Sequence, residues 1–425
     1  MTYYSNGSQE LVLGKEEISQ ILNQIFENFN SAQKILIIPP DYTRFHSGAG
    51  LITVLAYEYF GKRISGILPA LGTHVPMTSA EIDQMFPGIP HNLFKIHDWR
   101  HDVITVGEVP ADFVSQVSEG KVDYSWPAQL NKCIVEDEYD LILSIGQVVP
   151  HEVIGMANHN KNIFVGTGGK EGINKSHFIG AVYGMERMMG RAETPVRKIL
   201  NYASEHFTKN LNIVYILTVV ENCSDLKLRT RGLYAGSDDQ CFLQAAELSM
   251  KVNFQMLEKP IQKAIVWLDP DEYKSTWLGN KSIYRTRMAI ADGGELIVLA
   301  PGLKEFGEDK KIDELIRKYG YAGTEKVLEY TKNSQELSEN LSAAAHLIHG
   351  SSEGRFKVTY CPGKISRDEI LSVHFDYAEL ESMLKIYNPK ILKPGFNILK
   401  NGEEVFYVQN PALGLWAHSS RFINI

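Results

Sequence analysis

The sequence predicts an α/β protein whose mostly parallel sheets are covered by helices. Short apolar runs rich in β-branched residues recur along the chain, and each is followed by turn residues and then by a longer amphipathic stretch. That alternation is typical of parallel strands connected by helices. With 425 residues, the chain also exceeds the size at which one hydrophobic core usually stops growing, so we expect two such domains.

The strand-like runs form two series. The first comprises KILIIPP from Lys34, ISGILPA from Ile64 and DLILSIG from Asp140. The second comprises NIVYILTVV from Asn212, KAIVWLDP from Lys263, ELIVLAPG from Glu295 and RFKVTYCPG from Arg355. Between the last two runs, apolar residues recur at every third and fourth position over residues 308–350, which predicts helices.

The domain boundary is predicted near Pro260. The stretch AAELSMKVNFQMLEK predicts a helix that ends at this proline, and a new strand follows. We therefore expect an N-terminal domain of residues 1–260 and a C-terminal α/β domain of residues 261–425, with a hinge at residues 258–263.

The composition excludes several classes of protein. The 43 basic and 51 acidic residues give a net charge of -8 without long runs of one sign, so no nucleic-acid-binding surface is predicted. Four cysteines lie far apart without a CxxC pair, which indicates a reducing compartment rather than a disulfide framework or a zinc site. The N-terminus lacks a signal-peptide pattern, and no apolar stretch approaches the roughly 18 residues that span a membrane. We expect a soluble, cytoplasmic protein that binds neither nucleic acid nor membrane.

Polar loops follow the predicted strands, and in parallel α/β sheets ligands bind beyond the carboxyl ends of the strands. The first loop, in IIPPDYTRFHSGAG, contains Asp41, Thr43 and Arg44 before a helix that begins near Gly48. The Arg44 guanidinium could grip a carboxylate through two hydrogen bonds. The alternative is an Asp or Thr helix cap beside a surface arginine, and the segment by itself favours neither.

The second loop, in LPALGTHVPMTSAEIDQMFPG, places His74 directly after a strand. An imidazole at a strand tip can exchange protons near neutral pH, although a lone loop histidine is more often structural or simply exposed. Downstream, Thr78 or Ser79 begins a helix, with Glu81 in position for a capping box.

The third loop is the densest polar segment of the chain. It holds His151 just after a strand, then His159, the glycine-rich GTGGKEG with Lys170, and finally His177. A glycine loop can bind a phosphate, and its lysine can act as a charge or as a nucleophile. The GxxxxGK[ST] pattern of a P-loop is absent, and the spacing of the histidines matches no zinc site.

A fourth polar segment concentrates Lys281, Tyr284, Arg285 and Arg287 before a helix that leads to Gly293 and the next strand. Such a cluster could bind a carboxylate or a phosphate. The simpler interpretation of this segment alone is a solvated helix face.

In this order, DYTR, GTH before a short polar helix, and PH before a GG-K loop resemble the nickel-dependent lactate racemase family. The resemblance spans residues 34–302 and extends to chain length and two-domain layout. It implies an isomerase, a racemase or epimerase of 2-hydroxy acids, whose C2 hydride leaves for a cofactor and returns to either face of the keto acid. The implied cofactor is the nickel-pincer nucleotide, a pyridinium bisthiocarboxylic acid mononucleotide.

Carried over to matching positions, the resemblance implies roles for the reacting groups. His74 and His151 are the acid and base for the hydroxyl proton, and Arg44 holds the substrate carboxylate. Lys281 is the nearest equivalent of a family lysine that precedes a helix ending in GG. Tyr284 and the neighbouring Arg285 are expected to line the substrate.

The cofactor contacts are implied in the same way. Lys170 matches the lysine that bears the cofactor covalently, and His177 is accepted as the nickel ligand. Further cofactor contacts are Gly168, Gly169, Asp41 and Thr43. Residues 1–260 thus become the catalytic and cofactor-attaching domain, residues 261–425 close over the site, and both cofactor and substrate lie in the cleft between the domains.

The resemblance also bears on the substrate, and the sequence leaves two other functions to consider. His46 stands where lactate enzymes tend to have Pro or Thr, and with Tyr284 and the arginines it suits a more polar substrate, such as the aldonic acid gluconate. The implied partners are this small molecule and the proteins that build the cofactor. The main alternative is a nucleotide- or phosphate-binding protein without redox chemistry, in which GTGGKEG holds a phosphate. An NAD-dependent dehydrogenase is disfavoured because no GxGxxG follows the first strand.

Overall fold

The structure, a computed structural model, describes residues 1–223 and 227–422. The chain divides into two compact units, of which the first comprises residues 1–179 and 188–253 and the second the remainder. The main crossover therefore lies at residues 253/254. Residues 180–187, which the sequence analysis assigns to the N-terminal domain, fold with the second unit.

The first unit is built on a six-stranded sheet with flanking helices. Its strands are β1 (Thr2–Gly7), β2 (Ile35–Ile38), β3 (Ile64–Ile67), β4 (Val103–Val109), β5 (Trp126–Asn131), β6 (Leu141–Gln147), β7 (Pro150–His151), β8 (Gly155–Met156), β9 (Ile213–Asn222) and β10 (Leu228–Gly236). The sheet order is β1-β10-β9-β6-β2-β3, in which β9, β6, β2 and β3 run parallel. Strand β10 pairs antiparallel with β9, and β1 pairs antiparallel with β10. Strands β4 and β5, like β7 and β8, form separate antiparallel pairs.

The helices that begin in the first unit follow the predicted alternation. They are α1 (Lys15–Phe26), α2 (Ala49–Phe60), α3 (Ser79–Met85), α4 (Ala111–Val117), α5 (Lys132–Glu136), α6 (Lys170–Tyr183), α8 (Pro195–Phe207) and α9 (Asp239–Asn253). Helix α7 (Met185–Met188) begins within residues 180–187 of the second unit. Every residue of β2 is buried, as expected for a strand covered on both faces. The predicted capping box is confirmed, because Thr78 Oγ1 accepts from the Glu81 N–H and the Glu81 carboxylate accepts from the Thr78 N–H.

The second unit contains a second parallel-rich sheet. Its strands are β11 (Gln255–Leu257), β12 (Ile261–Trp267), β13 (Ile290–Ala300), β14 (Lys357–Pro362), β15 (Asp376–Tyr377), β16 (Gly395–Ile398), β17 (Glu404–Val408) and β18 (Trp416–His418). Its helices are α10 (Thr276–Gly279), α11 (Lys281–Thr286), α12 (Lys310–Tyr319), α13 (Thr324–Asn333), α14 (Gln335–Ser338), α15 (Leu341–His349), α16 (Arg367–Ser372) and α17 (Leu380–Ile386). The main sheet has the order β15-β14-β13-β12-β17-β16, and only the β17–β16 pair is antiparallel.

Two local predictions were wrong. The helix expected to end at Pro260 ends at Asn253, because residues 255–257 instead pair as β11 with the distant β18. Gly293, expected between a helix and a strand, lies inside β13, where its φ of +77° coincides with a shift in the register with β12. In both places a tertiary strand pairing overrides the local pattern.

Two further observations concern the cysteines and the length of the helices. The four cysteines are all free thiols. Across the described ranges, the helices are too short or too polar to cross a bilayer.

Gly155 in the β7–β8 hairpin offers a test of the packing around His151. Its φ is +91°, and an added Cβ would lie 2.1 Å from the carbonyl oxygen of Arg191. Gly155→Ala is expected to lower the free energy of unfolding by about 1–2 kcal/mol for the backbone conformation and by about 1–3 kcal/mol more for the overlap. Gly88→Ala is the matched control, because its φ is +83° and nothing lies within 4 Å of the new Cβ. Equal losses for the two variants in urea unfolding would contradict the close packing.

Candidate active site

Three of the polar loops meet at one edge of the first sheet. Strands β3, β2 and β6 are parallel neighbours, so the DYTR, GTH and PH loops leave the sheet at the same, carboxyl, end. A β-bridge joins Pro40 to Ala70, and the Gly72 N–H donates to the carbonyl of Gly166 at 2.8 Å. The loops are thus tied to one another as well as to the sheet.

Asp41 and His74 form the best-defined contact of this edge. Asp41 is buried and occupies the N-cap position of the 3₁₀ turn Tyr42–Ser47, yet its side chain does not cap that turn. One carboxylate oxygen lies 2.7 Å from His74 Nδ1, and the other accepts from the Thr43 hydroxyl at 2.6 Å. The helix-cap interpretation of this aspartate is therefore replaced by an aspartate–histidine pair.

The electrostatics of the pair keep Asp41 ionised. Burial by itself would raise the pKa of Asp41, but the hydrogen bonds from His74 and Thr43 and the charge of Arg44 together bring it below its ordinary value. An ionised carboxylate only accepts hydrogen bonds, so His74 Nδ1 carries a proton, and in the neutral ring the lone pair lies on Nε2. The His74 side chain is 56% exposed, which leaves that lone pair open to a ligand.

In His151, unlike His74, the Nδ1 atom accepts a hydrogen bond. His151 sits in the short β7–β8 hairpin, where its Nδ1 accepts the backbone N–H of Val153 at 3.1 Å. Desolvation, reinforced by the positive charges of Lys161 and Arg44, lowers the pKa of His151 to about 3 despite the opposing charge of Glu152. His151 is therefore neutral at physiological pH, with its proton on Nε2.

Lys161 is a residue of this site that the sequence analysis missed. It is partly buried, and desolvation together with the charges of Arg44 and Arg197 lowers the pKa of its ammonium to about 8, against the pull of Glu152 and Asp41. Its only sequence signal is its place between His151 and the glycine loop. Lys161 is thus a buried amine with a substantial neutral fraction near physiological pH.

His177 faces the same cluster from α6. Its Nδ1 donates to the carbonyl of Ile173, four residues earlier, at 2.7 Å. Desolvation lowers its pKa, and the nearby charges of Lys161 and Glu152 act on it in opposite directions. A neutral His177 with its proton on Nδ1 presents the Nε2 lone pair, the arrangement that metal-binding histidines use.

The glycines before Lys170 do not form the open loop that the sequence suggests, and Lys170 lies at the start of a helix. Lys170 is exposed and forms the first residue of α6. Gly168 and Gly169 are buried, and a Cβ on them would lie 1.9 Å from the Phe164 carbonyl oxygen and 2.5 Å from Gln129 Oε1, respectively. These two glycines allow close packing within the protein, which removes the main reason to interpret GTGGKEG as a phosphate cradle.

The basic segment of the second unit is partly buried rather than a solvated helix face. Arg287 is buried and pairs with Glu186 at 2.7 Å, which gives it a structural role. Lys281 opens α11 with its Nζ 5.9 Å from the centre of the Tyr273 ring. Arg285 lies in the last turn of the same helix.

Tyr284 belongs to a hydrogen-bond chain whose direction is determined. The Thr276 hydroxyl donates to the Phe306 carbonyl, so it accepts from Tyr321, which in turn accepts from His346 Nε2 at 3.0 Å. His346 Nδ1 then accepts from the Tyr284 hydroxyl at 3.0 Å. The Tyr284 proton is committed to this contact.

His159 is structural. It is buried between Tyr215 and Phe242, with ring centroids at 3.9 and 5.2 Å. Over residues 1–223 and 227–422, no three His, Cys, Asp or Glu side chains converge as a metal site.

Comparison with known proteins assigns the N-terminal part of the chain. Residues 8–189 match the lactate racemase N-terminal domain. This part of the chain is therefore similar to the N-terminal domain of lactate racemases. The matched segment includes His74, His151, Lys161 and His177, whereas Lys281 and Tyr284 lie outside it.

Two solved structures share the fold over almost the whole chain. A Thermotoga maritima protein solved by structural genomics has a TM-score of 0.76 and 25% identity, covering 98% of this chain and 100% of its own. The lactate racemase apoprotein from Thermoanaerobacterium thermosaccharolyticum has a TM-score of 0.70 and 17% identity, covering 96% and 94%. Comparison with curated proteins gives no match. The predicted α/β class with parallel-rich sheets is confirmed. The match of residues 8–189 supports an isomerase of the racemase or epimerase type.

The His151 environment predicts an unusual titration. Its folded pKa of about 3 lies below the ordinary 6.5, so the unfolded chain binds a proton first as the pH falls. The stability that this histidine contributes is complete above pH 6.5 and is lost as the pH falls from there towards pH 3. In NMR spectra, the ring signal that disappears in His151→Gln should not shift between about pH 8 and about pH 5. A midpoint near that of an ordinary histidine would contradict the desolvated site.

Proposed function

We propose that this protein is a racemase or epimerase that inverts C2 of a 2-hydroxy acid with the help of a nickel-pincer nucleotide. The observation that carries the proposal is the cluster at the edge of the first sheet, which brings the Asp41–His74 pair together with His151, Lys161 and His177. The cluster combines proton-transfer groups, a metal-type histidine and a partly neutral amine, and standard nucleotide motifs are absent from the sequence.

The donor set of the cluster fits such a cofactor. A pincer that brings its own sulfur ligands needs one further ligand from the protein, and His177 Nε2 would provide it. When bound, the cofactor supplies the acceptor for the C2 hydride.

The lysine that bears the cofactor is, in this proposal, Lys161. An amine forms a covalent bond to carbon only when it is neutral, and a pKa of about 8 leaves a substantial neutral fraction at physiological pH. Lys161 also interacts electrostatically with both His151 and His177. Lys170, the lysine expected from the sequence, remains the competing candidate; it is exposed at the start of α6, outside these interactions.

The remaining groups of the cluster act on the substrate. Arg44 is proposed to hold the carboxylate in a bidentate grip, which fixes C2 and its hydroxyl relative to the two histidines. His74 and His151 are proposed as the acid and base for the hydroxyl proton. Asp41 and Thr43 remain predicted cofactor contacts in addition to their contact with each other.

A polar 2-hydroxy acid such as gluconate remains the proposed substrate class. The exposed His46 adds a donor near Arg44 for a substrate with several hydroxyl groups. The roles of Tyr284, Lys281 and Arg285 in substrate binding remain predictions from the sequence.

The activity is tested with protein co-expressed with the enzymes that build the cofactor. We expect inversion at C2 of at least one member of a panel that includes lactate and gluconate. His74→Ala and His151→Ala should each lower turnover by a factor on the order of 10²–10⁴ while the bound cofactor, followed by mass and nickel content, is retained. His91→Ala is the control, because this surface histidine pairs with Asp83 outside the cluster. Full turnover in His74→Ala would overturn the acid–base assignment.

The attachment point is tested by intact mass. Wild-type protein and Lys170→Ala should carry the same mass increment and equimolar nickel, whereas Lys161→Ala should lose the covalent increment. The reverse pattern would assign the attachment to Lys170. An unmodified, nickel-free wild-type chain beside a loaded lactate racemase would overturn the cofactor proposal.

A further inference from the structure

We propose that Asp41 is a positioning residue that makes the two neutral histidine rings unequal: in its neutral form His74 presents a lone pair on Nε2, whereas His151 presents a proton on Nε2. This inference rests on the proposed function for its catalytic meaning. Its structural content, the tautomer of each ring, can be measured in the cofactor-free protein.

The first half of the inference comes from the way Asp41 is held. Its side chain is only 7% exposed, and both carboxylate oxygens are occupied by short contacts, one to His74 Nδ1 and one to the Thr43 hydroxyl. The backbone carbonyl of Asp41 also accepts from the Arg44 N–H at 3.0 Å, which anchors the residue at the start of its turn. The carboxylate therefore cannot swing away, and the His74 ring is held with its proton on Nδ1.

The second half comes from the backbone of the β7–β8 hairpin. An N–H group can only donate, so the Val153 N–H fixes His151 Nδ1 as an acceptor. The single proton of the neutral ring then lies on Nε2. Changing this tautomer would leave the Val153 N–H without its partner, at a cost of about 1–3 kcal/mol for a buried donor.

The two histidines therefore have different chemical roles at the start of turnover. The hydroxyl proton of the substrate passes to His74 Nε2, and the resulting imidazolium cation is balanced by the Asp41 carboxylate. His151 gives a hydrogen bond to the substrate oxygen rather than a proton, since removing its one proton would leave an imidazolate anion. For His151 to act as the base, its ring must first break the contact with Val153.

The tautomers are measured on cofactor-free protein labelled with ¹⁵N-histidine, using long-range ¹H–¹⁵N correlation spectra. Signals are assigned with His74→Gln and His151→Gln. We expect a protonated Nδ1 on His74 and a protonated Nε2 on His151. In Asp41→Asn the amide N–H₂ can donate to His74 Nδ1, so the His74 proton should move to Nε2. A wild-type His74 that carries its proton on Nε2 would overturn the proposal without the need for a variant.

Kinetics on the loaded protein test the catalytic meaning. Asp41→Asn should lower kcat, expressed per bound nickel, by a factor on the order of 10³–10⁴, as expected for a base in the wrong tautomer, with little change in KM. Asp83→Asn is the matched control, because Asp83 pairs with surface His91 at the same 2.7 Å, and its activity should equal that of the wild type. Wild-type kcat in Asp41→Asn would overturn the positioning role. A loaded protein with the expected tautomers that turns over no 2-hydroxy acid would overturn the catalytic role together with the proposed function.

Discussion

The parallel pairing of three buried strands is the constraint on which the site depends. Strands β3, β2 and β6 each contribute a loop at their carboxyl end, and parallel neighbours necessarily place those ends together. Residues 41, 74 and 151 are far apart in sequence, yet they share one edge of the sheet. The buried apolar character of these strands fixes their register, and the register determines which side chains meet.

Hydrogen bonds from a buried arginine stabilise the segment that carries His151 and Lys161. Arg197 is buried and donates to the carbonyls of Met156 and Asn158, which holds the turn between His151 and Lys161. Within that turn Asn158 has a φ of +66°, an uncommon conformation that the surrounding hydrogen bonds stabilise. The same arginine adds a positive charge near Lys161 and so contributes to its lowered pKa. Structural support and electrostatic adjustment therefore come from one side chain.

Lys161 and Lys170 illustrate why local sequence is an incomplete guide to reactivity. Lys170 follows two glycines, a pattern that suggests an open loop with an accessible nucleophile. In the structure those glycines are needed because backbone and side-chain oxygens crowd them, and Lys170 begins a helix on the surface. Lys161 lacks a recognisable motif, but it lies among charged and buried groups, and that environment lowers the pKa of its ammonium.

The sequence by itself determined the elements that rest on short-range physics. Apolar periodicity located the strands that begin near Ile35, Ile64 and Leu141, and hydrogen-bonding chemistry located the Thr78 cap, because both depend on residues a few positions apart. The tertiary structure decided the rest: that β11 is a strand, that Asp41 pairs with His74, and that Lys161 joins the cluster. Strand partners, desolvation and the fields of distant charges depend on residues that are remote along the chain and adjacent only after folding.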